Sequence, residues 1–459
     1  MESSKVDINP LIFRAYDIRG IYKQDINEAV FEKIGLALAN RHKKFLLGTD
    51  IRKNGTKLAK SLILGLKSKG ADVFYIGQTS IGLCLFSGWR LKVDKILFIT
   101  ASHLPSNWNG LKIYDGKSGE ALSPQQITKI KNLVLKSKNL KIKPRKVSLN
   151  KISFKKEYIE FLLEKFPLLI NNNLKIVIDC GNGSMSLIAP IVFKRFGFKV
   201  KELFCTPNPL FPNRPSEPTF EATKKLREIV VKSRADFGVA FDGDGDRAII
   251  IDNKGNYLDG NKIGIILARE LLKEKGKKVI VKTVSASMAI DEEIKQLRAK
   301  TIEVPVGHNF VISACKKYKS ALGMESTGHF VLPDYLPFDD AILVPLKIAE
   351  ILIKEQKPLS SIVEKIKIYP YQEFVLNCPD DKKFPLIKDL INKIKKNYKR
   401  VSTLDGLKIY FKYGWLLVRA SNTSPNIRIY FEAKNKKYHR LLKKGLVRYI
   451  KNFILRRIK

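Results

Sequence analysis

The sequence has little of what would place it outside a reducing, aqueous compartment. Its five cysteines, at positions 84, 180, 205, 315 and 378, are odd in number and form no Cys-x-x-Cys pair. This argues against a disulfide framework or a zinc site. No apolar run reaches the about 18 residues that a membrane span needs, so no membrane partner is expected. The opening Met1-Glu-Ser-Ser-Lys-Val-Asp7 has no apolar core of a secretory leader, and a cytoplasmic location is expected.

Acidic residues are also scarce. Asp and Glu number 44 against 85 Lys and Arg, giving a formal net charge of +41. Such an excess is one route to nucleic-acid binding, in which Lys and Arg supply the phosphate contacts. Here the excess is mostly Lys and is spread over the whole chain. No basic cluster is interleaved with aromatics as a stacking platform, and no zinc-finger spacing exists. Ile, Asn and Phe are plentiful too, so compositional bias is the reading, without a specific nucleic acid as partner. The positive field would still help recruit an anionic substrate.

What is present is enough for several cores. A chain of 459 residues with 44% hydrophobic content predicts three or four domains of about 100–150 residues each. Strand-like and helix-like segments alternate at first. Lys44-Phe-Leu-Leu-Gly48 leads into an apolar-periodic helix through Leu66, which Gly70 ends. The Lys-rich stretch 135–151 reads as a linker. A second unit opens with the strand Lys175–Asp179, turns at Cys180-Gly-Asn-Gly183, and continues as a helix to about Phe196. It closes with the strand Phe237–Phe241. A third unit begins near Asp259-Gly260 with a helix from Asn261 to Lys275, then the strand Lys278–Lys282. From about Ile368 strands follow one another, with hairpin turns at Asp405-Gly406 and Tyr413-Gly414, and a helix from roughly Lys436 to Arg456 ends the chain. The boundaries expected are 1–150, 151–254, 255–367 and 368–459.

Four segments carry chemistry. Ile96-Leu-Phe-Ile-Thr100 predicts a buried strand, and Ala101-Ser102-His103-Leu104-Pro105 follows it directly. The end of a parallel strand is where α/β enzymes place reactive groups. Far along the chain, Asp242-Gly-Asp244-Gly-Asp246-Arg247 alternates three carboxylates, a pattern suited to a hard divalent cation. An EF-hand is excluded, because its sixth position would be Arg247 and its twelfth Asn253. Magnesium usually takes a phosphate oxygen as well, which a phosphorylated Ser102 would supply. Gly323-Met-Glu325-Ser-Thr327-Gly-His329 collects a carboxylate, hydroxyls and an imidazole suited to sugar hydroxyls, and His308 offers a second imidazole. Either His also fits a structural hydrogen bond. Arg419-Ala-Ser421-Asn422-Thr423-Ser-Pro425 brings a guanidinium, hydroxyls and an amide that can surround a phosphate, or forms an ordinary turn. Gly181-x-Gly183 imitates a dinucleotide fingerprint, with Glu202 about twenty residues on, but Ser186 fills the third glycine position, so a tight turn is the reading.

Together these four signatures resemble those of the α-D-phosphohexomutase family, in its order and over nearly the full length. The likeness is closest to the bacterial bifunctional phosphomannomutase/phosphoglucomutase group, whose start this chain's opening Phe13-Arg-Ala-Tyr16-Asp-Ile-Arg19-Gly20 also resembles. The sugar loop departs from the usual Gly-Glu-x-Ser-Gly-His at Met324 and Thr327, and the serine loop has Leu104 where Asn is common. The resemblance implies an α/β fold: three similar βαβ-type mixed-sheet domains plus a C-terminal α+β domain around a central cleft. In chain order these would be the phosphoserine, metal-binding, sugar-binding and phosphate-binding domains.

The resemblance also implies reversible phosphoryl transfer between O1 and O6 of a hexose phosphate. Phosphorylated Ser102 would be the carrier, with Mg2+ and a hexose 1,6-bisphosphate as cofactor and intermediate. Ser102, Asp242, Asp244 and Asp246 would hold the metal. Arg19, His103, Lys112 and Arg247 would serve catalysis. Tyr16, Arg419, Ser421, Asn422 and Thr423 would hold the non-reacting phosphate, and Lys282, His308, Glu325, Thr327 and His329 the sugar. The partners implied are small sugar phosphates, with a monomer or weak homo-oligomer as the assembly. Phosphoglucosamine mutase shares every chemical part of this reading. A nucleic-acid-binding protein and a silent sugar-phosphate binder are the alternatives of another class.

Overall fold

The computed structural model describes residues 7–137, 151–274, 276–422 and 424–458. Most of the expected linker, Lys275 and Thr423 lie outside the described residues. The chain divides into two compact units. One runs up to Asp259 and includes Thr327–Val363; the other comprises Gly260–Ser326 and the chain from Glu364 onward.

The first unit contains two five-stranded sheets of one plan. Strands β1 (Ile18–Ile21), β2 (Lys44–Thr49), β3 (Asp72–Gln78), β4 (Lys95–Ile99) and β5 (Trp108–Asp115) lie in the order β1-β5-β4-β2-β3. The neighbours β3, β2 and β4 are parallel, and β5 and β1 add antiparallel edges. Parallel neighbours need crossovers, and the helices Gly55–Lys67 and Ile81–Arg90 supply them. Helix Ile81–Arg90 starts on Ser80, whose hydroxyl accepts from the Leu83 amide. The helices Glu28–Leu38 and Gly55–Lys67 meet at glycines: a Cβ on Gly35 would lie 2.2 Å from the Leu62 oxygen, and one on Gly65 2.1 Å from that of Glu32.

The second sheet repeats the plan. Strands β6 (Lys175–Asp179), β7 (Lys199–Leu203), β8 (Phe237–Phe241), β9 (Ala248–Asp252) and β10 (Tyr257–Leu258) run β10-β9-β8-β6-β7. Again β7, β6 and β8 are parallel, and β9 and β10 are antiparallel. In both sheets one parallel strand turns back into an antiparallel partner. That turn carries Ser102 between β4 and β5, and the three aspartates between β8 and β9. The helix expected after Gly183 starts later, as a 3-10 turn at Ser184–Leu187 followed by the helix Ala189–Arg195.

In the second unit, β11 (Val279–Thr283), β12 (Lys300–Val304) and β13 (Leu322–Met324) are parallel, in the order β12-β11-β13. The short β14 (Phe330–Val331) belongs to the first unit, where Val331 bridges to Asp339. The second unit closes with an antiparallel sheet of β15 (Tyr371–Asn377), β16 (Val401–Ser402), β17 (Leu407–Phe411), β18 (Gly414–Ala420) and β19 (Asn426–Ala433), ordered β15-β19-β18-β17-β16. Its core joins Leu416, Val418, Ile429 and Phe431 to Leu390, Ile450 and Ile454 of the covering helices.

Two expectations for this part are corrected. The strands do not follow directly on one another, because the helix Asp380–Ile394 intervenes. Pro385 inside it removes an amide donor and hides the helical pattern. The β17–β18 turn is Lys412-Tyr413, since Phe411 pairs with Gly414. The C-terminal helix spans Lys436–Leu442 and Arg448–Ile458, with a π-turn at Lys443–Val447 between them. No described helix is long and apolar enough to cross a membrane.

Candidate active site

Ser102 is 1% exposed and has a left-handed backbone, with φ of 51°. Its hydroxyl donates to Asp242 Oδ2 at 3.2 Å and lies 3.5 Å from His103 Nδ1. Its amide donates to Thr100 Oγ1 at 2.8 Å. The Thr100 hydroxyl lies 2.8 Å from Asp50 and 3.1 Å from Asp244, which share its single hydrogen. The serine loop is thereby tied to both the neighbouring strand end and the acidic loop.

The acidic loop is held by its own first carboxylate. Asp242 Oδ1 accepts from the amides of Gly245, Asp246 and Arg247 at 3.0, 3.2 and 3.2 Å. Gly243 presses the loop against the serine: a Cβ there would lie 2.5 Å from the Ser102 carbonyl oxygen. Asp242, Asp244 and Asp246 are all buried, with ligand atoms within 4.8 Å of one another. Asp244 Oδ1 is buried without a partner. Burial first, then Asp246 and Asp244, pushes Asp242 well above the usual carboxylate range. An all-oxygen, all-carboxylate donor set with an unused buried oxygen fits a hard divalent cation.

Cationic side chains surround this cluster. Lys112 on β5 donates to Asp244 at 2.9 Å and to Asp246 at 2.5 Å. Burial alone would lower its pKa, but the two aspartates outweigh it and hold the ammonium well above its ordinary value. Arg19 on β1 donates from Nε to Asp17 at 2.7 Å, and its NH1 is buried without a partner. Arg247 donates from Nε to His329 Nε2 at 3.0 Å and from NH1 to Glu217 at 3.2 Å, and its NH2 lies 2.7 Å from His103 Nδ1. Burial, then Arg247 and Arg19, lowers His103 well below 6.5. A neutral His103 accepting from Arg247 at Nδ1 carries its hydrogen on Nε2. His329 Nδ1 faces Asp339 at 3.1 Å, which leaves its Nε2 as the acceptor for Arg247.

The second unit gathers the rest. The backbone at Val306-Gly307 links two expected residues, Glu325 and Asn422, to Asp405. Gly307 N donates to Glu325 at 3.2 Å, Val306 N donates to Asp405 at 2.9 Å, and the Val306 carbonyl accepts from Asn422 at 3.4 Å. Asp405 also accepts from Arg419 Nε at 2.7 Å. His308 begins the helix His308–Tyr318 and is buried. Ser421 Oγ accepts from the Ser424 amide at 3.2 Å.

Most expected residues therefore fall into two groups. Ser102, His103, Lys112, Arg19, Arg247, His329 and the three aspartates gather in the first unit. Glu325, His308, Arg419, Ser421 and Asn422 belong to the second. Tyr16 is buried in the first unit and acts electrostatically on Arg19; Thr327 also belongs there. Lys282 belongs to the second unit as well. It is fully buried, and its ammonium meets two partly exposed carboxylates, Asp291 at 2.8 Å and Glu303 at 3.2 Å. The sequence reading missed Arg52, Glu217, Asp339 and Asp405. Asp50 and Arg52 had a signal, a charged pair directly after an apolar strand. Asp405 was taken only as a turn residue.

These features define a class: a multidomain α/β protein with a buried serine hydroxyl against a carboxylate triad and several cations, an arrangement suited to phosphoryl groups. Family models then match in succession. Phosphoglucomutase/phosphomannomutase alpha/beta/alpha domain I matches residues 10–141, domain II 156–255, domain III 259–369, and the C-terminal domain 376–446. The chain is 32% identical to the phosphoglucomutase/phosphomannomutase of Thermococcus kodakarensis, over 92% of this chain and 95% of that one. It is also 32% identical to a probable phosphoglucosamine mutase of Methanothermobacter thermautotrophicus, over 97% and 99%. The crystal structure of a phosphoglucomutase/phosphomannomutase family protein from Burkholderia thailandensis matches with a TM-score of 0.87 at 25% identity, covering 97% of this chain and 98% of that one. The chain belongs to the phosphoglucomutase/phosphomannomutase family of α-D-phosphohexomutases, with three α/β/α domains and a C-terminal domain.

Proposed function

We propose that the protein moves phosphate reversibly between O1 and O6 of a hexose phosphate, mannose and/or glucose, through phosphorylated Ser102 and a hexose 1,6-bisphosphate. The observation that carries this reading is the Ser102 hydroxyl, 3.2 Å from Asp242 in a buried carboxylate triad. Asp242, Asp244 and Asp246, with an oxygen of Ser102, would hold Mg2+, which when bound neutralises charge on the transferring phosphoryl group. Lys112 and Arg247 steady the triad and add positive charge beside it. Arg19, with its unused buried NH1, is the group to receive a phosphoryl oxygen. His103, whose Nδ1 accepts from Arg247, keeps its Nε2 hydrogen as a donor for a phosphoryl oxygen.

Arg419, Ser421, Asn422 and Thr423 would take the phosphate that is not reacting, and Tyr16 is proposed as a further phosphate contact. Glu325, Thr327, His329 and His308 would take the sugar hydroxyls. The limits 1–150, 151–254, 255–367 and 368–459 remain the proposed domains, and a monomer or weak homo-oligomer the proposed assembly. Phosphoglucosamine mutase is the second reading, because a relative so named is as similar as the phosphoglucomutase/phosphomannomutase. Initial rates with mannose, glucose and glucosamine 1-phosphates, each with its bisphosphate, decide between them. Turnover of the glucosamine substrate alone would overturn the first reading.

A further inference from the structure

We infer that Arg52 is a positioning residue for phosphoryl transfer: its guanidinium holds the 102–108 loop in the shape that directs the Ser102 hydroxyl at Asp242. The inference rests on the reading of Ser102 as the phosphoryl carrier. Arg52 lies just beyond β2, is 1% exposed, and heads the bulky side chains that are fully buried. A guanidinium has five N–H donors in a fixed fork. Here each has an acceptor. Nε donates to Asp50 Oδ2 at 3.0 Å. NH1 donates to the carbonyls of Pro105 at 2.5 Å and Trp108 at 3.1 Å. NH2 donates to those of Ser102 at 2.9 Å and Leu104 at 2.6 Å. No donor remains for a substrate phosphate, so this arginine acts on the reaction through the loop alone.

The loop needs such a cation. Four carbonyl oxygens of one short segment converge on a single point, and without a buried cation they would repel one another; Pro105 O also accepts from the Trp108 amide and Leu104 O from the Ser216 hydroxyl, but neither donor carries a charge. Ser102 itself sits at a left-handed φ of 51°, a conformation that persists in a non-glycine residue only where its surroundings impose it. The Ser102 peptide is held from two sides: Arg52 grips its carbonyl, and the backbone at Gly243 fits close against the same oxygen. Asp50 completes the frame. Its Oδ2 takes both Arg52 Nε and the Thr100 hydroxyl, and that hydroxyl in turn accepts the Ser102 amide. Both the amide and the carbonyl of Ser102 are therefore fixed by one Asp50–Arg52 pair. Lysine would keep the charge opposite Asp50 but has no planar fork for four carbonyls.

The test compares Arg52→Lys with wild type. A displacement of about 1 Å in a reacting group costs about 10²-fold, so kcat is expected to fall by about that factor with KM nearly unchanged. Phosphorylation of Ser102 by glucose 1,6-bisphosphate, followed by intact mass, should slow in parallel. Added guanidinium ion should restore part of the activity of Arg52→Ala. A folded Arg52→Lys protein with wild-type kcat overturns the inference, as does a loss confined to KM. Should Arg52→Lys fail to fold, Asp50→Asn is measured the same way. Loosening one charge-assisted bond there should lower kcat by about 10-fold, and an unchanged kcat overturns the inference. Ser102→Ala separates the two claims. Activity persisting in it sinks the carrier reading itself, whereas its inactivity beside a fully active Arg52→Lys sinks only the role of Arg52.

Discussion

The two units each set buried ammoniums against carboxylates, and they balance them differently; in the second unit the carboxylates are partly exposed. In the first, Asp242, Asp244 and Asp246 have Lys112 as their close cation, with Arg247 Nε 3.8 Å from Asp242 and 4.0 Å from Asp246. In the second, two ammoniums meet two carboxylates. Lys282 reaches Asp291 and Glu303, while Lys408 reaches Glu303 at 2.7 Å and the Val284 carbonyl at 2.7 Å. Burial would raise Glu303, but Lys282 and Lys408 outweigh it and bring its pKa down to about 2. Burial and the neighbouring Lys282 lower Lys408 to about 8. The balanced cluster is internally satisfied. In the other, Asp242 is pushed up and Asp244 keeps an unused oxygen. Buried charge in surplus marks a ligand site, and buried charge in balance marks scaffold.

The comparison breaks most sharply at the surplus cluster. Ser102→Ala should lower turnover by at least about 10³-fold, since no hydroxyl remains to carry phosphate. Intact mass should show a phosphorylated fraction in wild type and none in the variant. Asp244→Asn removes a charged oxygen and should weaken magnesium dependence as well as turnover. Full wild-type activity in excess chelator would show that the surplus carboxylates serve something other than a metal.

The balanced cluster should respond in stability instead. Lys282→Met leaves Glu303 with Lys408 alone and the partly exposed Asp291 without its cation, and should cost about 1.5–3 kcal/mol in urea unfolding. The kcat of the folded fraction should stay near wild type. A large kcat loss with little loss of stability would return Lys282 to the substrate side and blur the distinction.

A smaller effect is expected at Arg419, whose phosphate contact would exist in both ground and transition states. A charge-assisted hydrogen bond contributes about 1.5–3 kcal/mol, so Arg419→Ala should cost about 10- to 150-fold in kcat/KM, mainly through KM. Arg419→Lys should recover only part, and Ser102 should still be phosphorylated in both variants. An unchanged KM with lost phosphoserine would place Arg419 at the reacting centre.

The legible parts of the molecule are those in which local sequence and chemistry coincide. The strand Phe237–Phe241 and the three aspartates after it could be read directly, because a buried parallel strand is a continuous apolar run and its loop is not. Ser102 stood out for the same reason. Asp339 did not, because no spacing encodes its hydrogen bond to His329, and the charged pair after β2 gave no hint that Arg52 reaches carbonyls about fifty residues on. The helix Asp380–Ile394 was hidden by Pro385.

Asp340 supplies a third way to bury a carboxylate, and the finest test of the comparison. It has neither a close cation nor two like charges to share a metal with. Tyr158 donates to it at 2.5 Å and the Ile342 amide at 3.2 Å, yet burial pushes it up to about 7, with Asp339 adding to the rise. It holds its proton more tightly than an ordinary carboxyl. A carboxyl raised above its unfolded value of about 3.9 adds stability that is fully present below that value and lost as pH rises through about 7. Wild type should therefore lose stability between about pH 4 and pH 7, at no more than about 1.4 kcal/mol per pH unit, and level off above about pH 8. Asp340→Asn keeps an acceptor for Ile342 and cannot ionise, so its urea midpoint should fall less over the same range. The difference between the two proteins isolates this one group from the other titrations of the chain. Equal pH dependence in both would mean that Asp340 is already ionised in the fold, paired with a cation that the balance of charges around it does not reveal.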